Sequence, residues 1–240
     1  YVREAKPLNP VFVDCTASYD LPERYLDILE AGMHIATPNK RANSMSMDFY
    51  HELRKTANRM HRRFLYETNV GAGLPIIDTL QNLFKSGDKL TGFYGIMSGS
   101  LSYIFGRLDE GVSFSRAVIE AREKRYTEPD PRDDLAGLDV ARKALIIARE
   151  AGISLELEDI TMHNVFPEGF DSTGTIEEFL NKLPQVDDYF AKKVSDLKKQ
   201  GKVLRMAASI EEGKVSVGMI EVDENNPLYG IRGGENAFVF

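Results

Sequence analysis

The chain has 240 residues, 42% of them hydrophobic and 28% charged, the make-up of a folded globular protein with room for one large domain or two modest ones. Its formal charge of −7 argues against a nucleic-acid backbone or an anionic membrane as partner, and no apolar stretch reaches the ~20 residues of a membrane span. The single cysteine, Cys15, excludes an internal disulfide, and the N-terminus has no basic-then-apolar leader, so a cytoplasmic protein is expected.

Strands and helices alternate over the first third. Val11 to Asp14 reads as a short apolar strand, with Cys15 a buried, inert thiol at its end. The turn Thr16-Ala17-Ser18 leads to Asp20, a candidate N-cap with Glu23 in the capping-box position. The helix that follows carries Leu21, Tyr25, Leu26, Ile28 and Leu29 and stops at Gly32. A second strand spans 34–37, a helix about 44–60, and a third strand 64–68. Strand, crossover helix and strand, repeated, predict a parallel sheet with helices packed on it.

After Gly71-Ala-Gly73 the pattern changes. A helix is expected at about 75–85 and a strand at 90–97, after which Ser98-Gly-Ser100 opens another helix. Further helices are expected at about 114–124, 133–150, 175–181 and 186–199. Segments 202–210 and 214–222 alternate as a hairpin around Glu211-Glu-Gly213. Its residues Val203, Met206, Val215, Val217, Met219 and Ile220 are more apolar than an exposed hairpin can leave to water, so this region is expected to contribute to a dimer. The overall expectation is an α/β protein. Residues 1–76 form a partial Rossmann-like nucleotide-binding domain, and 77–240 an α+β catalytic and dimerisation domain with a mixed sheet. Both ends read as cut: no Gly-rich phosphate turn precedes the first strand, and Asn236 to Phe240 is an apolar strand with no cap after it.

The densest polar segment is Tyr126-Thr-Glu-Pro-Asp-Pro-Arg-Asp-Asp134. Pro129 and Pro131 hold Glu128 and Asp130 out of the helical region. Asp139 and Lys143 stand at i,i+4 on one helix face. The spacing alone leaves two readings open: a solvated ion pair at the surface, or a lysine and an aspartate aimed into a cleft beside a rigid carboxylate. The second would suit a general acid next to a site for a cationic amino group. The histidines, His34, His51, His61 and His163, have no metal-ligand spacing.

The run from Tyr126 to Lys143 resembles the signature of homoserine dehydrogenases. So do Thr37-Pro-Asn-Lys40, Glu67-Thr-Asn-Val-Gly-Ala-Gly-Leu-Pro75 and Gly95-Ile-Met-Ser-Gly-Ser-Leu-Ser-Tyr-Ile-Phe105, in the family's order and over nearly the whole chain. The last is similar to the dehydrogenase half of fused aspartate kinase–homoserine dehydrogenases, which implies a fused kinase in the full-length protein. The resemblance implies reduction of aspartate β-semialdehyde to homoserine with NADPH or NADH, in a homodimer. It implies Lys143 as proton donor, Asp139 as its partner and a substrate contact, and Glu128 and Asp134 as further substrate-binding residues. Lys40 would stand between nicotinamide and substrate, with Thr16, Ala17 and Arg125 near the cofactor. A monovalent cation, usually sodium, would be held by Glu67 and the carbonyls of Val70, Ala72 and Leu74. One position departs from the family: Arg125 stands where a glycine usually precedes Tyr-Thr-Glu-Pro. Either the backbone there suits a side chain, or the cofactor contact differs.

Overall fold

A computed structural model describes residue 4 and residues 7–240. Their fold has two compact units, residues 1–89 with 145–159 and residues 90–144 with 160–240.

The first unit holds a three-stranded parallel sheet in the order β1 (Val11–Val13), β2 (His34–Ala36), β3 (Phe64–Leu65). Helix α1 (Tyr25–Glu30) connects β1 to β2; α2 (Arg41–Ser44) and α3 (Met47–Arg59) connect β2 to β3. Tyr25, Leu29, Ile35, Ala42, Leu53 and Ala57 form the core, with Phe12, Phe49 and Phe64 against it. Cys15 is exposed, against the sequence expectation. The sheet covers only one of its faces at β1, so period two turns Phe12 and Asp14 inward and leaves Val11, Val13 and Cys15 outside. Asp20 does not cap the helix either. The chain enters through a 3-10 turn (Leu21–Arg24), and Ser18 Oγ accepts the Leu21 N–H at 3.1 Å. The third strand ends at Leu65 because Glu67–Asn69 turns as 3-10 helix. The expected helix at 44–60 starts at Met47, capped by Ser46 Oγ accepting from Phe49 N.

Residue 76 is not where the compact units divide; α4 (Ile76–Lys85) lies in the first, and so does the end of a later helix. Buried polar bonds fix that segment. The fully buried Arg149 donates to the carbonyls of Asn43 (3.0 Å), Met45 (2.7 Å) and Leu155, and pairs with Glu156. Glu150, 6% exposed, receives Arg54 at 3.0 Å, Tyr66 OH at 2.6 Å and Gln81 Nε2 at 2.9 Å. Burial, and the Glu150 charge beside them, push the Tyr50 and Tyr66 hydroxyls above the usual phenol range.

The second unit is built on a five-stranded mixed sheet in the order β5 (Thr161–Met162), β7 (Lys214–Asp223), β6 (Lys202–Glu211), β4 (Gly92–Ile96), β8 (Ala237–Val239). Only β5–β7 is parallel. The β6–β7 hairpin closes on Glu212 and Gly213, both at positive φ, the geometry of a type I′ turn. Its apolar residues are covered inside the chain: Met206, Val215 and Val217 are buried, and Val203, Met219 and Ile220 half-buried. The last three remain partly exposed. Helices α5 (Gly99–Asp109), α6 (Phe114–Glu123), α9 (Ile176–Lys182) and α10 (Asp187–Lys199) complete the unit, with Phe114 stacked on Phe190 at 4.0 Å between centroids. The helix expected at 133–150 is broken. It forms α7 (Pro131–Leu135) and α8 (Leu138–Glu150), parted by Gly137 at φ 70°, where a left-handed residue ends the first piece.

Candidate active site

Three chain segments build a cavity of about 480 Å³ in the second unit. Where β4 ends, Ser98 caps α5 by accepting the Leu101 N–H, and Ser98 to Ser100 form one wall. Helices α7 and α8 supply Asp134, Asp139 and Lys143, the loop before α7 supplies Arg125 and Tyr126, and Gly233-Gly234 close another side.

The polar groups here are tied down. Lys143 Nζ pairs with Asp139 Oδ2 at 2.7 Å and donates to the Met97 carbonyl at 2.6 Å. Its side chain is 17% exposed, against 51% for Asp139, so the amine is the better shielded of the two. Asp134 accepts the Ser100 hydroxyl at 2.6 Å through Oδ1 and the Glu128 N–H at 2.8 Å through Oδ2. Asp130 is extended at φ −102°, as the flanking prolines dictate, and caps α7 by accepting the Arg132 N–H. The Arg132 guanidinium, bonded to Asp130 through both carboxylate oxygens, holds that carboxyl below the usual range. Asp139 and Lys143 share one continuous helix despite the break at Gly137, because the break falls before Leu138.

Glu128 is exposed and does not line the cavity; only its backbone touches Asp134. Arg125 lines it from a backbone at φ 58°, the region that favours glycine. The 5→2 and 6→1 bonds of a Schellman motif hold it there, Arg125 N–H to Arg122 and Tyr126 N–H to Ala121, each at 2.9 Å. The sequence assigns no site role to Ser98, Ser100, Tyr126 or Gly233-Gly234. Ser98 was legible as a helix cap. The reason for the glycines is spatial: Gly99 would put a Cβ 3.1 Å from the Gly234 carbonyl, a close approach only small residues permit.

In the first unit, Thr16, Ala17 and Lys40 follow parallel strands at the carboxyl edge of the sheet. Thr16 and Ala17 are exposed, Lys40 half-buried. Glu67 caps α4, accepting the Ile77 and Asp78 N–H groups at 2.9 Å each. Between them, Gly71 and Ala72 curl at φ 83° and 52°. Among the described residues the carbonyls of Val70 and Ala72 accept no backbone hydrogen bond, whereas that of Leu74 takes the Ile76 N–H. The oxygens of this segment are of the kind a hard cation prefers, though both Glu67 oxygens already accept from α4.

Homoserine dehydrogenase is the family whose model matches residues 75–240, and a model of the NAD-binding domain of homoserine dehydrogenase matches residues 2–67. The chain belongs to the homoserine dehydrogenase family. It is 54% identical, over its full length, to a bifunctional aspartokinase/homoserine dehydrogenase of Haemophilus influenzae, of which it covers 29%. To a homoserine dehydrogenase of Schizosaccharomyces pombe it is 38% identical over 98% of its length, covering 64% of that protein. The chain thus spans under a third of the bifunctional relative. Among solved structures, a Candida auris protein of unknown function superposes with a TM-score of 0.92 at 37% identity, over 98% of this chain and 68% of that one. A hyperthermophilic archaeal homoserine dehydrogenase in complex with NADPH shares the fold, at TM-score 0.72 and 24% identity over 99% and 62%. No helix among the described residues is long and apolar enough to cross a membrane.

Proposed function

We propose that the protein reduces L-aspartate 4-semialdehyde to L-homoserine with NADPH or NADH. The observation that carries this is the Asp139–Lys143 ion pair, its amine largely shielded, lining a cavity with a second carboxylate, in a chain of this family. An ammonium has three N–H donors, and Asp139 and the Met97 carbonyl engage two of them. The third can hydrogen-bond a substrate carbonyl, polarise it and pass it a proton. Asp139 then keeps the amine in place through the transfer. Asp134 offers negative charge to the substrate ammonium, and the bonds from the Ser100 hydroxyl and the Glu128 N–H fix its direction.

A bound nicotinamide supplies the hydride, which no side chain can. The exposed turn at Thr16 and Ala17 and the half-buried Lys40, all at the carboxyl edge of a parallel sheet, fit one end of such a cofactor. Arg125, which lines the cavity, would add a positive charge there. Glu67, with the carbonyls of Val70, Ala72 and Leu74, would hold a sodium ion. The full-length protein is proposed to be a homodimer, fused to an aspartate kinase as the names of its relatives describe. The test is a spectrophotometric assay of the full-length protein with aspartate semialdehyde and each reduced cofactor. Oxidation of neither would refute the reading.

A further inference from the structure

Asp14 is buried at 1% exposure, and the proposed mechanism gives it no part. It lies at the end of β1, where four groups converge on its side chain. Oδ1 accepts the Thr16 N–H at 2.8 Å and the Thr16 hydroxyl at 2.7 Å. Oδ2 accepts the Tyr25 hydroxyl and, at 3.2 Å, the Asn39 amide. The same two turns are knitted again around it. Thr37 Oγ donates to the Asp14 carbonyl at 2.9 Å and accepts the Asn39 N–H at 2.9 Å. Asn39 donates to the Ser18 carbonyl at 3.0 Å and accepts the Arg41 N–H at 3.1 Å. Burial by itself would raise the Asp14 carboxyl, but the bonds from Tyr25, Thr16 and Asn39 outweigh it and hold the group below its ordinary value.

We propose that Asp14 is a positioning residue: its buried carboxylate ties the Thr16–Ser18 turn to the Thr37–Lys40 turn and so sets where Lys40 stands at the carboxyl edge of the sheet. A carboxylate can serve four donors because both oxygens accept; an amide in its place has one accepting oxygen and two donors of its own. Asp14→Asn therefore satisfies one turn or the other, never both. A purely structural carboxylate would matter for stability alone. This one joins the two segments that carry Thr16, Ala17 and Lys40, so the inference rests on the proposed nicotinamide site.

The experiment compares Asp14→Asn, Asn39→Ala and Tyr25→Phe in the full-length protein. Tyr25→Phe removes the tyrosine's bonds to Asp14 and to Thr37 Oγ (3.1 Å) but leaves every bond between the two turns in place, and so serves as the stability control. In Asp14→Asn, misplacement of about an ångström should cost about 10²-fold in kcat, together with a several-fold weaker Kd for NADPH or NADH measured by fluorescence. The KM for the aldehyde should change little. Asn39→Ala should show the same split to a smaller degree, which keeps the idea testable should Asp14→Asn fail to fold. Tyr25→Phe should keep kcat and nucleotide Kd near wild type at a comparable loss of Tm. Hydrogen exchange reports the turns without any turnover: amides at 16–18 and 39–41 should exchange at least about tenfold faster in Asp14→Asn, since bonds to charged groups are worth that much, while the Leu29 and Leu53 amides do not. Equal effects of Asp14→Asn and Tyr25→Phe on kcat and Kd, or unchanged exchange at the turns, would overturn the inference. A wild-type protein inactive on aspartate semialdehyde refutes the proposed function instead, with the exchange and nucleotide-binding results still deciding the role of Asp14.

Discussion

Replacing Arg125 with glycine separates two explanations of the same departure. At φ 58° a residue with a Cβ pays about 1–2 kcal/mol for the left-handed conformation. Glycine recovers that strain but loses more freedom on folding, which takes back about 0.4–1 kcal/mol. Arg125 forms no ion pair or side-chain hydrogen bond among the described residues, so nothing else is forfeited. Arg125→Gly should therefore stabilise the protein by about 0.5–1 kcal/mol, a Tm rise of roughly 1–4 °C for a domain of this size. The Schellman bonds of Arg125 and Tyr126 are backbone bonds and survive the change. Differential scanning calorimetry reads the stability; initial-rate kinetics read the cofactor. If the guanidinium contacts the nucleotide, the KM for NADPH or NADH rises and the rise shrinks with added salt, as a charge contact must. A lowered Tm would refute the strain argument, because it would mean that side-chain packing at Arg125 outweighs the backbone cost.

Lys143→Met should lower kcat by about 10²–10⁴, the usual worth of general-acid help, with substrate KM less affected; a kcat within a few-fold of wild type would remove the lysine from the chemistry. Glu150→Ala leaves Arg54, Tyr66 and Gln81 facing an emptied site and should cost about 3–5 kcal/mol, seen as a large fall in the urea midpoint; a shift equivalent to a surface mutation would show that water replaces the carboxylate freely. Acid should destabilise through Asp14 and Asp130, both held below their ordinary 3.8 in the folded state. The unfolded chain binds protons first as pH falls past that value, so their contribution is full above it and drains below it. Thermal melts from pH 7 to pH 3 should show the loss beginning near pH 4, with a shallower slope in Asp14→Asn; a Tm that rises on acidification would contradict the assignment.

The sequence made the parallel sheet and the hairpin legible because both follow from local period: two for the strands, and a turn that needs positive φ at Glu212-Gly213. The same locality explains the errors. The run 11–14 reads as an apolar strand with Cys15 buried at its end, yet a strand has two faces, and nothing in so short a run says which of them lies bare. That single question of phase leaves Cys15 outside and turns Asp14 in. The helix from 133 to 150 was read through Gly137 because the apolar stripe resumes in nearly the same phase, and a lone glycine does not announce its φ.

Within the cavity, the residues found from sequence are those whose partners are close along the chain: Asp139 and Lys143 one helical turn apart. Asp134 could be suspected, but its partner Ser100 lies 34 residues away. Gly234, which meets Gly99, is farther still, and a glycine's reason for being small is visible only from what approaches it. Asp14 is the clearest case. Its sequence position is that of an ordinary strand-end aspartate, and its partners Tyr25 and Asn39 lie 11 and 25 residues on. They converge because parallel strands β1 and β2 must deliver their carboxyl ends to the same edge, with α1 packed behind them. The carboxylate becomes a junction through topology, and topology of that kind is a property of pairing between strands that no single-strand reading contains.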